Sequence, residues 1–258
     1  MSQKSAIQWT DATWNVARGC TKVDEDCKYC YMYRDSMNNT RYNPLQVVRT
    51  KTVFDLPLKL KEPSKIFTCS LTDFFHEAID GYRDDAWNII RKCPEHTFQI
   101  LTKRPERITA CTPPDLLQAD NIWFGTSVGS MEGYDRILHL IEVNCKTRFL
   151  SLEPLHGPMN LYPLLSLTNE IRTNKPGSAI DWVIVGGESG NDTGKYRYRP
   201  CELEWIQSIA AECIRHRVPV FVKQMGTYLA KQLKMSDRHG GNIDEFPEHL
   251  KIREFPHA

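Results

Sequence analysis

The sequence has no long apolar stretch; its purely apolar runs end after a few residues, as in Trp182-Val183-Ile184-Val185. A bilayer-spanning helix needs about 20 such residues, so a membrane-crossing helix is excluded and no membrane partner is expected. The opening MSQKSAIQWTDATW lacks the apolar core of a secretory signal, which makes the cytoplasm the expected location. An excess of either charge is also missing: 33 Lys and Arg stand against 32 Asp and Glu, a formal net charge of +1. No global field draws the chain to nucleic acid or a membrane surface, and any anion binding has to be local. Internal repeats, low-complexity tracts and a dinucleotide-type glycine fingerprint are absent. No nucleophile stands with a recognisable base, which disfavours a conventional hydrolase.

Short β-branched and aromatic runs do recur from residue 65 onward: Lys65–Cys69, Thr97–Leu101, Ile122–Gly125, Arg148–Leu152, Trp182–Val185 and Pro219–Val222. Their spacing leaves room for one helix between neighbours, the pattern of parallel strands joined by crossover helices. Helices are predicted around Ala86, Trp87, Ile90 and Cys93, stopped by Pro94; around Tyr134, Ile137, Leu138 and Ile141; and around Trp205, Ile206, Ile209, Ala210, Cys213 and Ile214. The expected fold class is α/β, a partial parallel β/α barrel of six or seven strands in one structural domain. Residues 1–64 would carry a first β/α unit, 65–226 the remaining units and 227–258 a tail. The stretch 155–178, with Pro158, Pro163, Pro176 and Gly177, reads as a looser insertion, and residues 234–258 show little periodicity.

Polar groups follow each run: Ser70, Thr72, Asp73 and His76; then Thr102, Lys103 and Arg104; Thr126 and Ser127; Glu153; Glu188 and Ser189; Lys223 and Gln224. A parallel barrel brings all those strand ends to one rim, where active sites of such barrels lie. Loops are polar in any protein, so the pattern marks the rim rather than any one residue.

The cysteines number nine, an odd count with six of them scattered singly, which suits reduced thiols. The other three, Cys20, Cys27 and Cys30, fall within eleven residues. Three soft ligands so close suggest a metal. An iron–sulfur cluster on three thiols leaves one iron for a small molecule, whereas zinc wants a fourth ligand, for which His76 is a candidate; unligated thiols are the third alternative.

Cys27-Lys28-Tyr29-Cys30 resembles the second half of the radical S-adenosylmethionine signature, Cys-x-aromatic-Cys, with Cys20 in the place of the first cysteine but six residues ahead instead of three. Further motifs are Trp9-Thr10-Asp11-Ala12-Thr13-Trp14-Asn15, Gly19-Cys20-Thr21-Lys22-Val23, Ser70-Leu71-Thr72-Asp73-Phe74-Phe75-His76, Leu101-Thr102-Lys103-Arg104-Pro105, Ser151-Leu152-Glu153-Pro154-Leu155, Gly186-Gly187-Glu188-Ser189-Gly190 and Lys223-Gln224-Met225-Gly226. Through them the whole chain resembles a bacterial and phage family of unknown function, named after phage gene products 37 and 68 and known for its three-cysteine motif. The radical resemblance implies a [4Fe-4S] cluster on Cys20, Cys27 and Cys30, with S-adenosylmethionine bound at the open iron and split on reduction to a 5′-deoxyadenosyl radical. It also implies an external electron donor.

The candidate cofactor contacts are Tyr29, Ser70, Glu153, Gly186, Gly187 and Glu188, the glycines allowing close backbone approach and the acids meeting an amine or ribose hydroxyl. A flexible turn and salt-bridged acids are the plainer readings. The candidate substrate contacts are Asp73, His76, Lys103, Arg104, Arg197, Arg199, Lys223 and Gln224. Asp73 and His76 read as helix caps or as a proton-transfer pair. The basic stretches Lys103-Arg104 and Lys195-Tyr196-Arg197-Tyr198-Arg199 suit phosphates and bases, which points to a nucleic acid or nucleotide substrate. The competing expectation is a non-catalytic module, stabilised by zinc or a cluster, that binds nucleic acid or a partner protein.

Overall fold

The computed structural model describes residues 5–37, 43–166 and 179–256. Side-chain alternation decides how its strands are used. Trp182, Val183, Ile184 and Val185 are all buried, yet Val183 and Val185 join the main core while Trp182 and Ile184 join a second apolar cluster. The same alternation separates Leu150 and Leu152 from Phe149, and Val220 and Val222 from Phe221. Strands that are apolar on both faces have to be covered on both, the condition that parallel sheets meet by packing helices outside.

Seven strands lie side by side in chain order: β1 (Ala12–Trp14), β2 (Lys65–Thr68), β3 (Thr97–Thr102), β4 (Ile122–Ser127), β5 (Thr147–Leu155), β6 (Trp182–Gly187) and β7 (Val220–Gln224). Every neighbouring pair is parallel. The sheet curls into a half-barrel flanked by helices, as the sequence pattern predicts. Its concave face is filled by Trp9, Phe67, Phe149, Trp182, Ile184 and Phe221. Room for Phe149 comes from Gly125 on β4, where a Cβ would stand 2.4 Å from the Phe149 ring.

The main helices are α1 (Tyr31–Met37), α2 (Arg83–Arg91), α3 (Tyr134–Glu142), α4 (Leu203–Arg215) and α5 (Gly226–Gln232). On α4 the predicted stripe Ile206, Ile209, Ala210 and Cys213 is buried, while Ile214 faces out. On α3 the inward residues are Ile137 and Leu140; Leu138 is exposed, because it falls off the 3.6-residue stripe that its neighbours define.

The aperiodic tail has a definite place. The Val222 amide donates to Ile252 O at 2.9 Å, the Glu254 amide donates to Val220 O at 3.0 Å, and Phe255 stacks on Trp182. The tail thus covers the outer edge of β7. Of the predicted insertion, Tyr162–Leu165 forms one helical turn with Leu164 and Leu165 buried; residues 167–178 lie outside the described residues. Among the described residues no helix is long and apolar enough to cross a membrane.

Candidate functional site

Because all seven strands run the same way, their C-terminal ends surround one cavity. Its wall contains Cys20 after β1, Ser70 and Asp73 after β2, Lys103 after β3, Ser127 ending β4, Glu153 in β5, Glu188 after β6 and Lys223 in β7. Its floor is apolar, made of Ile7, Trp9, Phe67 and Leu101. Cys27, Tyr29 and Cys30 line the same space. The polar groups that follow successive strands thus meet at one rim.

The segment bearing the thiols is fixed at three places. At its start, the Gly19 amide donates to Leu71 O at 3.1 Å, Thr72 Oγ1 donates to Gly19 O at 2.6 Å and Tyr33 Oη donates to Cys20 O at 2.6 Å. Arg104 reinforces this end: Nη1 donates to Asp73 Oδ2 at 3.1 Å, Nη2 donates to Thr21 Oγ1 at 2.8 Å, and Nη1 stands 4.0 Å from Cys20 Sγ.

The six spacer residues make the second attachment. Asp24 caps the short 3-10 turn Glu25–Cys27, accepting the Asp26 amide at 2.9 Å. Arg136 of α3 pairs with both Asp24 and Asp26. The other Asp26 oxygen meets His156 Nε2 at 2.6 Å, and the Gly129 amide donates to Asp26 at 3.1 Å. Only glycine fits at Gly129, since a Cβ would stand 2.7 Å from Asp26 Oδ1 and 2.3 Å from Pro154 O. Burial works to raise the Asp26 carboxyl, but the His156 hydrogen bond and the Lys103 and Arg136 charges outweigh it and hold it below the usual carboxylate range. The extra length between Cys20 and Cys27 is therefore an anchor.

The third attachment is Arg199. It donates to both carboxylate oxygens of Glu188 at 2.8 to 2.9 Å, sends Nη1 to Glu25 O at 2.9 Å and lies over the Tyr29 ring.

The donor set fits a metal group. All nine cysteines are free thiols. Burial, then the Asp73 charge, push the Cys20 thiol up to about 11, and burial raises Cys30, so both are protonated near neutrality and a metal would have to displace those protons. Among the described residues, the set of three donors lying within 4.8 Å of one another is Cys93, Glu95 and His96, and no such set includes Cys20, Cys27 or Cys30. The Cys93 group precedes β3, at the opposite end of the barrel, where His96 Nε2 meets Pro57 O at 3.2 Å.

Comparison with known proteins bears on this whole arrangement, since residues 4–249 match a single family. The chain belongs to the DUF5131 family, described as a protein of unknown function. No curated protein and no solved structure matches it. Family membership thus spans every strand, the cysteine segment and the strand-end residues together.

Several sequence-based expectations for individual residues change on this geometry. Of the six single cysteines, Cys69 borders the cavity. Its sulfur accepts the Val16 amide and its side chain packs in the main core. His76 is not among the residues lining the cavity: Nδ1 accepts the Ala78 amide at 3.1 Å and Nε2 meets Thr21 Oγ1 at 3.0 Å, which makes it a helix cap. Asp73 lines the cavity, but its oxygens already accept from Thr102, the Lys103 and Phe75 amides and Arg104. Gly186 and Gly187 pack on the end of β7, where a Cβ on Gly187 would stand 2.2 Å from Met225 O. Gln224 braces that contact, donating to Gly187 O at 2.8 Å. Arg197 is exposed and turns to Gly194 O.

Sequence reasoning missed Asp24, Asp26, Arg136 and His156. Two aspartates inside a cysteine spacer, and an arginine one position before the buried Ile137, were the available signals.

Proposed function

We propose that the protein is an iron–sulfur enzyme of the radical S-adenosylmethionine type, acting on a nucleotide or nucleic acid. The observation that carries this reading is the placement of Cys20, Cys27 and Cys30 on one anchored segment, lining one cavity at the C-terminal rim of a parallel half-barrel. When bound, a three-thiolate cluster would supply an iron open to S-adenosylmethionine and the electron that breaks its sulfonium bond.

The chain's own residues bind, orient and exclude water. Arg104 and Tyr33 set Cys20, the Asp26 anchor sets Cys27, and Arg199 sets Tyr29. Glu153 pairs through Oε1 with Lys223 and keeps Oε2 for an amine or a ribose hydroxyl. Glu188 is fully engaged by Arg199, so Glu153 is the better cofactor contact and Glu188 acts through Arg199. The floor of Trp9, Phe67 and Leu101 offers an apolar surface for an adenine or substrate ring. Electrons would come from an external donor.

The test is anaerobic reconstitution with iron and sulfide, followed by S-adenosylmethionine and dithionite. Formation of 5′-deoxyadenosine by wild type, and none by a variant with all three cysteines changed to Ala, is the expected result. A fully loaded protein that neither binds nor cleaves S-adenosylmethionine would return the cluster to a stabilising role in a binding module.

A further inference from the structure

Four acidic side chains line the cavity, and each is engaged. Asp73 holds Arg104, Asp26 holds Arg136 and His156, Glu188 holds Arg199, and Glu153 holds Lys223. Of the cations lining the same cavity, Arg104 and Lys223 are therefore matched. Lys103 is different. Its Nζ donates to Ser127 Oγ at 3.0 Å and makes no ion pair among the described residues. An ammonium carries three donors, so two remain, at the edge of an apolar floor. Lys103 lines the same cavity as Cys20, Cys27 and Cys30.

Several cations outside the cavity are held by acids of the chain. Arg107 is held by Asp80 at 2.8 Å and by Glu77 at 3.7 Å. In the basic stretch before α4, Arg199 is turned inward onto Glu188, and Tyr198 Oη donates to Asp192 at 3.0 Å. Asp192 in turn pairs with Lys231. Lys195 and Arg197 of the same stretch are exposed, Arg197 donating to Gly194 O at 3.1 Å.

We propose that Lys103 receives the anionic oxygens of a small ligand, a phosphate or a carboxylate, so that the cavity takes a nucleotide-sized anion. A compact ammonium is suited to either oxyanion, and a partly buried position strengthens the attraction relative to the surface. This deepens the reading above and rests on it for the identity of the cavity as the active site.

The test uses cluster-reconstituted protein, kept anaerobic, as wild type, Lys103→Met and Lys103→Arg. Calorimetry compares AMP with adenosine, and S-adenosylmethionine with its decarboxylated form; each pair differs in one anionic group. Wild type should prefer the anionic member of at least one pair by about tenfold, close to 1.4 kcal/mol. Lys103→Met should lose that preference, and Lys103→Arg should recover part of it. Iron content and far-UV circular dichroism should match wild type in both variants, and quenching of tryptophan fluorescence gives a second binding signal. Loss confined to the AMP pair assigns the anion to substrate, and loss confined to the other pair assigns it to the cofactor; either supports Lys103 as the receiver. A preference that survives Lys103→Met, or tighter binding of a single-stranded oligonucleotide than of AMP, would overturn the proposal. Failure of S-adenosylmethionine cleavage alone would leave these binding results standing and count only against the enzyme reading.

Discussion

Asp26 ties the cysteine segment to three distant parts of the chain, with Arg136 110 positions away and His156 130 positions away. Replacing it with Ala leaves Arg136 with Asp24 alone and removes the carboxylate that His156 meets, a loss of roughly 1.5–3 kcal/mol for each hydrogen bond to a charged group. The strain falls on the segment, not on the strands that form the core. Asp26→Ala should therefore bind less iron on reconstitution while its far-UV circular dichroism stays that of wild type; unchanged iron content would show that the anchor is dispensable. Glu188→Gln is milder. It weakens the clasp on Arg199 by about 1.5–3 kcal/mol, the range for a hydrogen bond to a charged group, and loosens the seat of Tyr29. The expected outcome is weaker S-adenosylmethionine binding with the cluster absorbance retained. At this scale the thiols were legible because three cysteines in eleven residues are unusual. Arg136 and His156 were not, because an ion pair between residues so far apart leaves no local pattern.

The elements were easier to read than their ends. Six of the seven strands appear as apolar runs, because alternation between two buried faces makes nearly every residue apolar. β1 spans only Ala12–Trp14, too short for a periodic signal, and was implied only by the first β/α unit expected within residues 1–64. Strand β5 continues to Leu155, past the predicted end at Leu152, since its backbone pairing outlasts its apolar run. Glu153 consequently sits within a strand, which gives it a fixed direction. Gly186 and Gly187 were read as ligand approaches, yet at Gly187, as at Gly125, the missing side chain leaves room for a packed neighbour. Gly125→Val would drive a branched side chain into the Phe149 ring, and overpacking of this kind costs about 1–3 kcal/mol or more. A thermal melt should show a lower midpoint, and an unchanged midpoint would mean that the concave core is loosely filled.

At the scale of the whole molecule, the half-barrel leaves two sheet edges, and the tail covers the one at β7. Deleting residues 252–258 removes the pairing with Val220 and Val222 and the Phe255 ring that stacks on Trp182. An uncovered parallel edge invites association; the truncated chain should melt earlier and scatter more light than wild type at equal concentration. The central claim is that Cys20, Cys27 and Cys30 hold a cluster with one iron left open. The most direct measurement is the iron and acid-labile sulfide content of anaerobically reconstituted protein, taken with the electron paramagnetic resonance of its reduced form before and after S-adenosylmethionine. About four irons and four sulfides per chain, with a signal that S-adenosylmethionine alters, is the predicted result. One tightly held zinc in their place, or a cluster signal indifferent to S-adenosylmethionine, would contradict it.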